Sequence, residues 1–129
     1  MKEIKLPSGA DLKMNLAPFE DSKNLYQALL EEAKGVNFSA SSDMIGVCRD
    51  IFCIAFSSKK IEKMVLKCAE RCLYNDLPIK ADVFESNEAR QDYFDMMFEI
   101  AMENVMPFTK SLYARYKVIL EKLLETSHA

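Results

Sequence analysis

Histidine is almost missing from this chain. The single one, His128, is the penultimate residue, so no Ser-His or Cys-His couple is expected. The carboxylate metal sites of helical bundles pair Glu with a Glu-x-x-His step, and no such histidine exists here. Glycine is scarce as well. Gly9, Gly35 and Gly46 are scattered, which leaves no GxGxxG and no GxxxxGK[ST] loop to cradle a phosphate. No apolar run approaches the roughly 20 residues that a bilayer span needs. Excess charge is also lacking: the formal net charge is -3, with no basic cluster interleaved with aromatics, so neither nucleic acid nor membrane is expected as a partner. The opening MKEIKLPSG lacks the apolar core of a signal peptide, and the chain is expected to stay in the cytoplasm where it is made. Together these absences argue against an enzyme and against a cofactor.

Cysteine is present but in a pattern that excludes more than it suggests. Cys48, Cys53, Cys68 and Cys72 are even in number, yet nothing marks the chain for an oxidising compartment. None of the spacings is CxxC, and the sole histidine lies in the tail, so no metal is expected. Buried free thiols are the expectation.

What is there is a globular chain. It has 129 residues, 50% of them hydrophobic and 29% charged, which suits one domain with its own core. Ile4 and Leu6 alternate with charged neighbours, Pro7-Ser8-Gly9 supplies turn chemistry, and Leu12, Met14 and Leu16 alternate again. This reads as a β-hairpin over Glu3–Leu16. Helices are predicted over Phe19–Lys34, Ser42–Phe56, Lys59–Leu73, Asn87–Met106 and Phe108–Leu124. Pro18, Glu20 and Asp21 favour the first helix start and Gly35 its stop. The second is apolar nearly all round and is expected to be central. Asn75-Asp76 is a turn dipeptide, with a short extended piece expected over Leu77–Lys80. Asp82 and Glu85 have the form of a capping box, and Ser86 is a second candidate cap. Pro107 is expected to end or bend the fourth helix. The fold class is therefore mainly α: an N-terminal β-hairpin (residues 1–17) packed on a bundle of about five helices (18–125), with a frayed tail (126–129), all in a single domain.

The segment Arg71–Phe108 carries the candidate site. Its apolar residues include Met96, Met97, Phe98, Met102 and Met106. Methionine is flexible and polarizable, and it recurs on surfaces that fit an irregular apolar partner. A methionine stripe at helical spacing also suits a core, and both readings stand. Glu88, Asp92, Asp95, Glu99 and Glu103 fall at steps of four or three, hence on one helix face. Like charges at that spacing repel by about a few tenths of a kcal/mol per pair. Either the stripe is a solvated face softened by bases on the neighbouring helices, or it steers a basic partner.

Residues along the chain also form a familiar order: Ala17-Pro18-Phe19-Glu20, then Arg71-Cys72-x-Tyr74-Asn75, then Ile79, Asp82, Phe84 and Glu85, then Arg90-x-Asp92-Tyr93, Asn104, and Pro107-Phe108. In this the chain resembles the tail-assembly chaperones of long-tailed bacteriophages. The resemblance covers most of the chain through individually short motifs. It implies a protein that binds the tape-measure protein, a very long apolar helical chain. Such a chaperone keeps its client soluble in the host cytoplasm until tail-tube subunits polymerise around it, and is absent from the mature virion. It also implies a tendency to self-associate. The rival reading from a different class is a small structural tail-completion or connector protein of the virion.

Overall fold

The structure, a computed structural model, describes residues 1–33 and 58–127. Its N-terminus is the expected antiparallel hairpin. Strand β1 (Lys2–Lys5) pairs with β2 (Asp11–Met14), with Ile4 opposite Leu12. The connection closes through Gly9 N–H donating to the Leu6 carbonyl at 2.8 Å and Leu6 N–H to the Ala10 carbonyl at 2.9 Å. Gly9 sits at φ +91°, a left-handed conformation that a side chain disfavours.

The hairpin does not stand alone. Strands β3 (Leu73–Tyr74) and β4 (Leu77–Pro78) extend it into a four-stranded antiparallel sheet in the order β1-β2-β3-β4. Between them Asn75 and Asp76 both have positive φ, the backbone of a two-residue type I′ turn. Asn75 Oδ1 also accepts from Asp11 N–H at 2.8 Å, tying the second turn to the first hairpin. One face of the sheet is apolar: Leu12, Met14 and Tyr74 are buried against the helices.

Three α-helices are present among the described residues. α1 spans Phe19–Ala33, α2 Lys59–Cys68 and α3 Asn87–Ser127. The three pack on one another. Leu25, Ala28 and Leu29 of α1, Ile61, Val65 and Cys68 of α2, and Met96, Met97, Ile100, Ala101 and Val105 of α3 form the core between them. Ser58 caps α2, its side chain accepting from Ile61 N–H at 3.4 Å. Ser86 caps α3, accepting from Ala89 N–H at 3.1 Å. No described helix is long and apolar enough to cross a membrane.

Four expectations are corrected. The bundle of about five helices is three among the described residues, and the helix expected at Ser42–Phe56 lies outside them. The helices expected on either side of Pro107 are one continuous helix, α3. Tertiary anchoring outweighs the local cost of the proline: Phe108 lies on Tyr26 of α1, ring centroids 5.5 Å apart and nearly parallel, and Phe19 is 6.0 Å away. The helix expected from Lys59 to Leu73 ends at Cys68, tightens into a 3-10 turn (Ala69–Arg71), and gives way to β3. The Asp82–Glu85 box is likewise a 3-10 segment, Ala81–Glu85, with no side-chain cap.

Candidate partner-binding site

α3 has a buried side and an outer side, and the expected site residues divide between them. Met96 and Met97 are fully buried. They are core, and they are not part of an open methionine face. Asp92 is also fully buried, so it is not part of a surface charge stripe. Its carboxylate accepts from Ser8 N–H at 3.1 Å, from the Ser8 hydroxyl, and from the Tyr74 hydroxyl at 2.8 Å. Burial and the bond to Asp92 both push the Tyr74 hydroxyl pKa up. A carboxylate satisfied by three donors is tolerated in the interior, where an unpaired one would not be.

One further buried polar group lies about 18 Å along the same helix, at about 1.5 Å of rise per residue. Asn104 Oδ1 accepts from Ala17 N–H at 2.9 Å and Ser22 Oγ at 2.8 Å, and its amide donates to the Ile100 carbonyl at 2.8 Å. Asp92 thus latches the first hairpin and β3 to α3, and Asn104 latches the start of α1. In sequence Asp92 read as one of an acidic row and Asn104 as a residue of the resemblance, and periodicity could not distinguish a latch from a surface position.

The outer side of α3 carries the rest. Phe94, Phe98, Met102 and Met106 stand at steps of four. Phe94 is 55% exposed, and the other three are half-buried. Asp95, Glu99 and Glu103 each follow one residue later, so an acidic row runs beside the apolar one, with Glu88 exposed two turns earlier. Glu103 pairs with Lys2 at 3.4 Å. Two of the bases expected to soften the stripe are engaged elsewhere: Lys67 pairs with Asp21 at 3.5 Å, and Arg71 donates to the Leu16 carbonyl at 3.3 Å. Among the described residues, Glu88, Asp95 and Glu99 form no ion pair. Sequence reasoning missed Phe94. Its signal was present in the four-residue step to Phe98 and Met102.

Beside this face lies a groove of about 410 Å³. α2 contributes Glu62 and Leu66, the segment after β4 contributes Ile79, Lys80, Ala81 and Phe84, and α3 contributes Tyr93. Arg90 holds the 3-10 wall in place: its Nε donates to the Phe84 carbonyl at 2.8 Å, and its Nη2 lies 3.4 Å from Glu85. Edge-to-face ring contacts run from Phe84 to Tyr93 (5.0 Å) and from Tyr93 to Phe94 (5.2 Å). The groove's Tyr93 therefore touches Phe94, the first residue of the apolar row of α3. Burial, followed by the nearby Glu62 charge, pushes the Tyr93 hydroxyl pKa up.

The remaining reactive groups are quiet. Cys68 and Cys72 are free and buried. Burial pushes the Cys68 thiol up to about 12 and also raises Cys72, which makes both poor nucleophiles. Among the described residues no group of three or more His, Cys, Asp or Glu side chains is placed to hold a metal ion. No family model, no curated protein and no solved structure matches this chain.

Proposed function

We propose that the chain is a tail-assembly chaperone of long-tailed bacteriophages, acting in the host cytoplasm and absent from the finished virion. It covers apolar helical stretches of the tape-measure protein and gives them up as tail-tube subunits polymerise. No bond is made or broken.

The observation that carries this reading is the pairing of rows on α3. Half-exposed Phe94, Phe98, Met102 and Met106 run beside acidic residues of which Glu88, Asp95 and Glu99 have no basic partner among the described residues. Flexible and aromatic side chains accept varied apolar partners without a rigid pocket, and the carboxylate rim adds rate and orientation. The sequence resemblance supports the same reading. Several residues that carry it make contacts in the structure: Tyr74 with Asp92, Arg90 with Phe84 and Glu85, and Phe84 with Tyr93.

The test is co-expression with the tape-measure protein of the same phage. The client should move from the insoluble to the soluble fraction and co-purify with this chain. A client that stays insoluble, or recovery of this chain from purified virions, would overturn the reading. The second result would favour a structural tail component.

A further inference from the structure

The groove between α2, the 3-10 wall and α3 indicates what the client must present. Its lining is apolar at Leu66, Ile79 and Phe84 and on the ring of Tyr93, and it contains one carboxylate, Glu62. Glu62 is half-buried, and its charge lies near the Tyr93 hydroxyl, whose pKa it helps to raise. An ionised carboxylate offers about four acceptor positions, so a single neighbouring hydroxyl cannot satisfy it. Among the described residues no lysine or arginine forms an ion pair with it. The one base lining the groove, Lys80, is exposed and also makes no ion pair among those residues.

The shape selects a helix over a strand. A strand would have to add to the neighbouring edge, β4, but that edge is only Leu77–Pro78. Proline has no N–H to give an incoming strand. A volume of about 410 Å³ suits side chains inserted from a helix lying across the opening, as in helix-in-groove recognition with anchors at i and i+4.

We propose that this groove takes one helical segment of the client: two large apolar side chains four residues apart, with a lysine or arginine beside them that reaches Glu62. A carboxylate on the same segment meets Lys80. The inference rests on the chaperone reading above and adds the chemistry of the recognised segment. Specificity comes from the carboxylate inside the groove, because a client helix lacking the base leaves Glu62 desolvated and unpaired.

The test uses the full chain co-expressed with the tape-measure protein, and affinity measured on the purified pair. Ala81→Trp fills the groove from its exposed wall, and Glu62→Lys reverses its charge. Each should weaken client binding by about tenfold or more, with a circular dichroism spectrum and thermal midpoint like those of the unmodified chain. Glu62→Gln, close to isosteric, keeps the assay informative if either variant fails to fold, and should weaken binding and flatten its salt dependence. A client lysine-to-glutamate change should restore binding to Glu62→Lys. If the unmodified chain holds the client and all three variants hold it equally well, the groove inference falls and the chaperone reading stands. If the unmodified chain does not hold the client, both fall. If Ala81→Trp alters only the size of the free protein on gel filtration, a second copy fills the groove and the inference is overturned.

Discussion

The Tyr74 hydroxyl donates to Asp92 Oδ2 at 2.8 Å, joining a two-residue strand to a fully buried carboxylate on α3. The same carboxylate receives two donors from Ser8, so one side chain fastens both hairpins to the helix. Asp92→Ala should lower the unfolding free energy by about 3 kcal/mol, because it strands a buried phenol and loosens the Ser8 turn. Tyr74→Phe removes one donor and should cost about 1 kcal/mol. Urea titrations of the two single variants and the double variant give the coupling directly; strict additivity would show that the two side chains do not act together. Glu88→Gln, at an exposed position of the same helix, should leave the midpoint unchanged.

Met97 and Phe94 lie on the same helix with opposite fates: Met97 is fully buried and Phe94 is 55% exposed. Met97→Asp places an unpaired carboxylate in the core and should unfold the isolated protein, visible as lost helical circular dichroism. Phe94→Asp should leave the fold intact and reduce client recovery. A folded Met97→Asp protein that has lost its client would return Met97 to the binding surface.

Cys68 gives the fold an alkaline limit. Its ordinary thiol pKa of 9.0 is pushed up to about 12 by burial. Below pH 9 the thiol is protonated in both states, and its contribution is fully present. Between about 9 and about 12 the unfolded chain loses the proton while the folded chain keeps it, so stability falls as pH rises. Tyr74, also raised, acts in the same direction. Chemical denaturation from pH 8 to 11 should show the decline, and Cys68→Ala should make it shallower. An unchanged slope would mean that Cys68 ionises as freely folded as unfolded.

Where the pattern was dense, the sequence was a good guide. Alternation over Ile4 to Met14 marks the hairpin, and the helical period of Leu25, Ala28, Leu29 and of Ile61, Val65, Cys68 marks the buried sides of α1 and α2. Ser86 was legible as a cap because a hydroxyl before a helix has one common use. The strands Leu73–Tyr74 and Leu77–Pro78 were not legible as part of the sheet, since two residues carry no period. The site was half legible. Spacing put Asp92 in line with Glu88 and Asp95, but a helix face says nothing of what lies across from it, and Ser8 and Tyr74 lie across from Asp92. Methionine identity pointed to Met96 and Met97, whose direction on the helix is inward.

Pro107 shows local preference overridden by packing. A proline inside a helix removes the donor that would reach the carbonyl four residues back, here that of Glu103, and crowds that turn. α3 nevertheless runs through it from Asn87 to Ser127. Phe108 is held on Tyr26 and beside Phe19, and the Thr109 hydroxyl donates to the Val105 carbonyl at 3.0 Å, so the turn is anchored from both sides. If this anchoring maintains the helix against the proline, Pro107→Ala should raise the unfolding free energy by on the order of 1–3 kcal/mol with little change in helical signal. Adding Phe108→Ala to the natural proline should do the reverse and expose the turn to rapid amide exchange. A loss of stability in Pro107→Ala would mean that the ring's own geometry is what delivers Phe108 to Tyr26, and that the proline is part of the anchor.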